Sequence, residues 1–113
     1  MVYNYNAEIE QLLQPLSVPY AYMYYEGNAE TYITYMQQSK DDALAGDDQV
    51  IGAVMYYDVD IYSKGNYLQL MQDIITLFEG EGWSYQPSRE SPDMYETDTK
   101  YFHKTICFAK ETI

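Results

Sequence analysis

Cysteine and histidine occur once each in the 113 residues, as Cys107 and His103. A lone cysteine excludes an intrachain disulfide and any multi-cysteine zinc site. A lone histidine gives a nucleophile–histidine–acid triad only one place to form, and no recognisable signature surrounds His103. Cations are scarce too: six Lys and Arg stand against 18 Asp and Glu, for a formal charge of −12. Such a chain lacks the basic face that nucleic-acid phosphates or anionic lipid require. No apolar run approaches the roughly 20 residues of a membrane span. The Met1–Asn6 stretch lacks the basic-then-apolar layout of a signal peptide, so a soluble intracellular product is expected. Also missing are a glycine-rich phosphate loop, a nucleophile elbow and any cofactor fingerprint. No repeat, low-complexity tract or linker divides the chain, and its length suits one domain, 1–113.

What is abundant is tyrosine, with 15 copies in a chain that is 47% hydrophobic. That hydrophobic content argues for a folded core despite the charge. Tyrosine packs a ring while keeping a hydroxyl wet, which suits surfaces buried against a partner, but strands favour it as well.

Periodicity predicts a helix from about Asn6 to Gln14, where Ile9, Leu12, Leu13 and Leu16 form one apolar stripe and Pro15 marks the exit. Tyr20–Tyr25 and Thr31–Gln38 are predicted as two strands of a hairpin, the second with Tyr32, Thr34 and Met36 on one face and Ile33 and Tyr35 on the other. Ser39–Gln49 is predicted as a polar, acidic loop. Val50–Tyr62 carries the strongest strand signal: Ile51, Ala53, Met55, Tyr57, Val59 and Ile61 alternate with Asp58, Asp60 and Tyr62, and Gly52 would allow a bulge. Asn66 is expected to cap a second helix through about Glu79, ended by Gly80 and Gly82. Trp83 and Tyr85 begin a short strand stopped by Pro87, and a last strand spans about Thr97–Lys110. The expected order is α-β-β-β-α-β-β, an α+β two-layer sandwich with a mainly antiparallel sheet and two helices on one face.

Candidates for chemistry are few. Asp58 and Asp60 share a strand face about 7 Å apart, near the spacing of paired glycosidase carboxylates. A solvated strand face gives the same pattern. Asp41, Asp42, Asp47 and Asp48 could attract a hard cation, but their spacing does not follow the EF-hand pattern. The last strand supplies Lys100, Lys104 and Lys110 interleaved with Phe102, Ile106 and Phe108. Such a strand could meet an acidic surface on a neighbouring copy head to tail and close a ring. Alternatively, Lys104 could sit across from Asp58 or Asp60 in the same sheet. The four aspartates and three lysines are therefore the candidate interface residues, and no catalytic, cofactor-binding or metal-ligating residue is assigned. A non-enzymatic assembly part is expected. The alternative is a small ligand-binding or regulatory module, dimeric through its sheet, with Tyr20–Tyr25 and Trp83 lining a pocket. A metal-dependent hydrolase using Asp58 and Asp60 stands third.

Nearly the whole chain carries a further pattern. Its pieces are Ile9, Leu12 and Leu13; Val18-Pro19-Tyr20-Ala21-Tyr22; Tyr32-Ile33-Thr34-Tyr35; Asp48-Gln49-Val50; Tyr57-Asp58-Val59-Asp60-Ile61-Tyr62-Ser63-Lys64; the helix through Phe78; Gly82-Trp83-Ser84-Tyr85; and the closing segment from Tyr95 to Lys110. In these the chain resembles the small tail-terminator (tail-completion) proteins of long-tailed, non-contractile phages and prophages of Gram-positive bacteria. The resemblance implies a subunit, monomeric or not when free, that forms a hexameric ring at the head-proximal end of the tail tube. Such a ring halts polymerisation of the major tail tube protein and presents a face to the head connector or completion protein. It implies a place in the virion tail, assembly in the host cytoplasm, and passage of DNA through an acidic channel that repels it. No cofactor is implied.

Overall fold

The structure, a computed structural model, describes residues 5–42, 45–46, 49–50 and 52–112. Its elements are α1 (Tyr5–Leu13), β1 (Tyr20–Tyr22), β2 (Thr31–Asp42), β3 (Ala45–Gly46), β4 (Gln49–Val50), β5 (Ala53–Ser63), α2 (Leu68–Gly80), β6 (Ser84–Tyr85), β7 (Met94–Glu96) and β8 (Tyr101–Thr112). Single 3-10 turns follow α1 and β6, each admitting a proline at its start. Six strands form one sheet in the order β1-β2-β5-β8, with β6 and β7 both on the far side of β8; β3 and β4 pair separately. All pairings but β1–β2 are antiparallel, and the protein is an α+β fold. Among the described residues no helix is long and apolar enough to cross a membrane.

The period-two pattern of β5 decides which face is covered. Ala53, Met55, Tyr57, Val59 and Ile61 are buried, while the even-numbered residues between them are half-buried. The buried row packs with Ile33 and Tyr35 of β2 and Ile106 and Phe108 of β8 against Ile9, Leu12 and Leu13 of α1 and Ile74, Ile75 and Phe78 of α2. Both helices therefore lie on one side of the sheet, as amphipathic helices with one apolar stripe require. The N-cap of α2 is Tyr67 rather than the expected Asn66, which sits one residue earlier and accepts a hydrogen bond from the Leu68 amide through its Oδ1 at 2.9 Å; Gly82 at φ 88° follows the helix end.

Several expectations need correction. Tyr20–Tyr25 and Thr31–Gln38 are not a hairpin, because β1 is three residues long and runs parallel to β2, Tyr20 beside Ile33 and Tyr22 beside Tyr35. The chain leaves the ladder at Met23, whose φ of 64° turns it out of the sheet, and Tyr25 then stacks on Tyr32 at 4.3 Å. Ser39–Asp42 is not loop but continues β2 against Val54–Tyr56 and Ala53, after a register shift between Gln37 and Ser39. The bulge is thus in β2 rather than at Gly52. Ile51, Asp47 and Asp48 lie outside the described residues. Thr97–Lys100 is a turn joining β7 to β8 rather than the start of the last strand. Trp83 does not join Tyr20–Tyr25 in a pocket; it is 2% exposed, edge-on to Tyr5, Tyr57 and Phe78.

Candidate functional site

The side of the sheet away from the helices has no second layer among the described residues, yet its centre is not a wet, unstructured surface. Strand alternation puts Asp58, Asp60 and Tyr62 of β5 beside Cys107, Thr105 and His103 of β8. The Asp60 carboxylate accepts a hydrogen bond from His103 Nε2 at 3.0 Å and one from the Thr105 hydroxyl. His103 lies flat on Tyr62, 4.1 Å between ring centres, and Tyr62 on Tyr32 at 4.7 Å. With Tyr25 they form a four-ring stack across the lower end of the sheet, closed by Tyr101 edge-on. Burial, then the Asp60 charge, pushes the Tyr62 hydroxyl up to about 12.

Asp58 is held differently. Burial, then Asp60, raises its pKa, while Gln38 donates to it at 3.3 Å. Gln38 in turn accepts from Arg89, whose guanidinium lies over the Tyr56 ring at 3.8 Å. The Cys107 thiol is fully buried and pushed up to about 11, first by burial and then by Asp58, so it is a poor nucleophile. Among the described residues no group of three or more His, Cys, Asp or Glu could hold a metal ion. The paired Asp60–His103 contact was not legible as such in the sequence, since the two lie 43 residues apart and only the β5–β8 register brings them together.

The lysines proposed as interface residues have separate fates. Lys104 lies beside Ile61, on the helix-covered face, not across from Asp58 or Asp60. It is 8% exposed and bridges Asp93 at 3.5 Å and Glu90 at 3.7 Å, so it is unavailable to a neighbour. Tyr67 and Tyr85 hydrogen-bond to those same carboxylates, and burial followed by those bonds pushes both hydroxyls up to about 12. The Asp93 carboxyl is held below its usual range, first by Tyr67 and then by Lys104. Lys110 is likewise engaged, on Glu8 at 2.5 Å and on the Glu81 carbonyl at 3.2 Å. Lys100 differs: it is exposed, at φ 63°, with no ion-pair partner among the described residues. Asp41 is exposed near the end of β2, and no ion pair joins it to a lysine among the described residues; Asp42 ends that strand.

Composition and periodicity missed a different surface. Among the described residues the large apolar side chains that stay exposed are Tyr22, Met23, Tyr24, Leu68, Tyr95 and Phe102. The first three sit at the β1 edge of the sheet, while Tyr95 and Phe102 sit at the opposite edge with Leu68 of α2 beside them. Two hollows of about 440 and 470 Å³ share Phe102 there, one reaching Leu68 and the other reaching Tyr95, Lys64 and Lys100. Phe102 and Tyr95 are in ring contact at 4.8 Å. No protein-family model and no curated protein matches the chain.

Proposed function

We propose that this chain is a structural phage protein: a subunit that forms a ring at the head-proximal end of a tail tube, ends tube polymerisation and offers the head-joining surface. The observation that carries the assembly part is the position of the exposed apolar side chains, which fall on two opposite sheet edges rather than around an enclosed cavity. A subunit with unlike patches on opposite sides associates head to tail, and such contacts close when the rotation permits. The tail-terminator part rests on the sequence resemblance, and the charge of −12 per copy suits a channel that must pass DNA without binding it. On this reading the chain works without catalysis, and the Asp60–His103 contact ties two strands together.

The test is electron microscopy of lysates from the parent phage or prophage with this gene deleted. Full heads beside overlong, headless tubes are the expected result, and normal virions would overturn the reading. A second reading, a small ligand-binding module, draws on the apolar hollow beside Gly65–Leu68. A metabolite that raises the melting temperature strongly in a thermal-shift screen would favour it.

A further inference from the structure

We propose that the occupant of the Leu68–Tyr95–Phe102 groove is a second copy of this chain, which inserts its Tyr22–Glu26 segment between Lys64 and Lys100. The inference rests on the assembly reading above and adds the two surfaces that meet.

Charge makes the first argument. Copies carrying −12 each repel, so self-association needs a place where the local sign is reversed. Of the six cations, Lys104 and Lys110 are held by carboxylates of their own chain, Arg89 lies on Tyr56, and Lys40 is exposed on β2 and lines neither hollow. Lys64 and Lys100 have no ion-pair partner among the described residues, and both line the same hollow. Lys64 rests over the Tyr101 ring at 4.9 Å, leaving its charge unneutralised. Asp93, the one acid lining the neighbouring hollow, is already bound by Tyr67 and Lys104. The opposite edge offers the complement: Tyr22, Met23 and Tyr24, 48%, 59% and 73% exposed, run into the exposed Glu26, and no cation lies within 20–30.

Symmetry makes the second argument. A two-fold dimer through either edge would bury one apolar triplet and leave the other in water. A head-to-tail contact buries both on every copy, with aromatic side chains at the centre and charges at the rim. The backbone agrees. Of three non-glycine residues at positive φ among the described residues, Met23 and Lys100 are one from each surface, and such conformations persist where the surrounding structure holds them.

The test uses the full chain in two formats. Sedimentation velocity up to millimolar concentration compares the wild type with Tyr24→Glu and with Lys64→Glu/Lys100→Glu. Each variant should associate at least about tenfold more weakly. Glu26→Lys mixed with the double lysine variant should recover part of the loss. For association too weak to sediment, Tyr24→Cys/Tyr95→Cys is oxidised; Cys107, fully buried, stays out of the reaction. The double variant should give a ladder of disulfide-linked multimers, and either single variant none beyond a dimer.

No ladder, or charge variants that associate like the wild type, would overturn the interface. The two proposals fail separately. A ladder with normal virions on gene deletion would keep the interface and remove the terminator function. Overlong tubes without a ladder would do the reverse.

Discussion

Replacing Lys110 by methionine removes a charge from one end of β8, and with it the ammonium that lies 5.2 Å over the Trp83 ring, while keeping most of the aliphatic stem. The ammonium is 2.5 Å from Glu8 Oε1, the same oxygen that accepts the Trp83 indole N–H at 3.0 Å. At that separation, with an effective dielectric near 20, the gross attraction is about 6–7 kcal/mol. Most of it is cancelled by the cost of withdrawing both charges from water. Breaking one side of a fully buried pair costs about 3–5 kcal/mol. Here the Lys110 and Glu8 side chains keep 24% and 13% of their exposure, so the pair is not fully withdrawn from water. The expected loss falls to about 2 kcal/mol, or about 8 °C in Tm for a chain of this length. Urea unfolding followed by the fluorescence of Trp83, the sole tryptophan, measures it. Lys100→Met, at an exposed lysine, should stay within about 0.5 kcal/mol of wild type. In a Glu8→Gln background the Lys110→Met loss should shrink by about 1–2 kcal/mol, because its partner charge is gone. A Lys110→Met protein with the wild-type urea midpoint, or a loss unchanged by Glu8→Gln, would refute the argument. Lys110 would then be free for the intersubunit role its sequence position suggests.

Phe108→Ala should cost about 3–5 kcal/mol in denaturant titrations, since the ring is fully buried and stacked on Phe78 at 4.3 Å. Gly27→Ala would put a methyl against the Tyr25 hydroxyl, so the Tyr25 ring must shift on its stack with Tyr32. A loss of about 1 kcal/mol and a changed near-ultraviolet circular dichroism spectrum are expected; an unchanged spectrum would contradict the stacking. At high pH, burial holds the Cys107 thiol up to about 11 and the Tyr67 and Tyr85 hydroxyls up to about 12. The folded protein keeps protons that the unfolded chain releases, so their stabilisation is complete below about pH 9 and declines as pH rises through those folded values. Thermal melts from pH 7 to 11 check the direction, and stability rising in that range would refute it.

The core was legible because alternation in β5 and the apolar stripes of α1 and α2 are local signals, and burial of Val59, Ile61, Ile74 and Phe78 follows them directly. Pairing was less legible. Tyr20–Tyr22 has the composition of any strand, and nothing local says that it joins β2 parallel rather than through a hairpin. Ser39–Asp42 looked like loop because Lys and Asp are poor strand formers, yet the adjoining Ala53–Tyr56 supplies a ladder that overrides propensity. Lys100 lies in the turn before the last strand, and the even-numbered row from Phe102 to Lys110 does share one face, but the pattern does not give the direction of that face. Lys104 therefore lands over the core, reaching back to Glu90 and Asp93 as a long side chain can.

The scarcity of cations connects this core to the proposed assembly. An acidic protein that used the outer sheet face for contact would have to desolvate Asp58 and Asp60 and disturb the His103, Thr105 and Gln38 bonds that satisfy them. Breaking such satisfied polar contacts costs more than a new contact returns unless every partner is replaced. The sheet edges impose no such cost, since what they expose is aromatic and apolar surface whose removal from water is favourable. Lys104 and Lys110 neutralise acids beside the core and so stabilise the subunit. Lys64 and Lys100, at a groove that joins exposed aromatics to positive charge without an ion-pair partner among the described residues, are left for the proposed contact with the next copy.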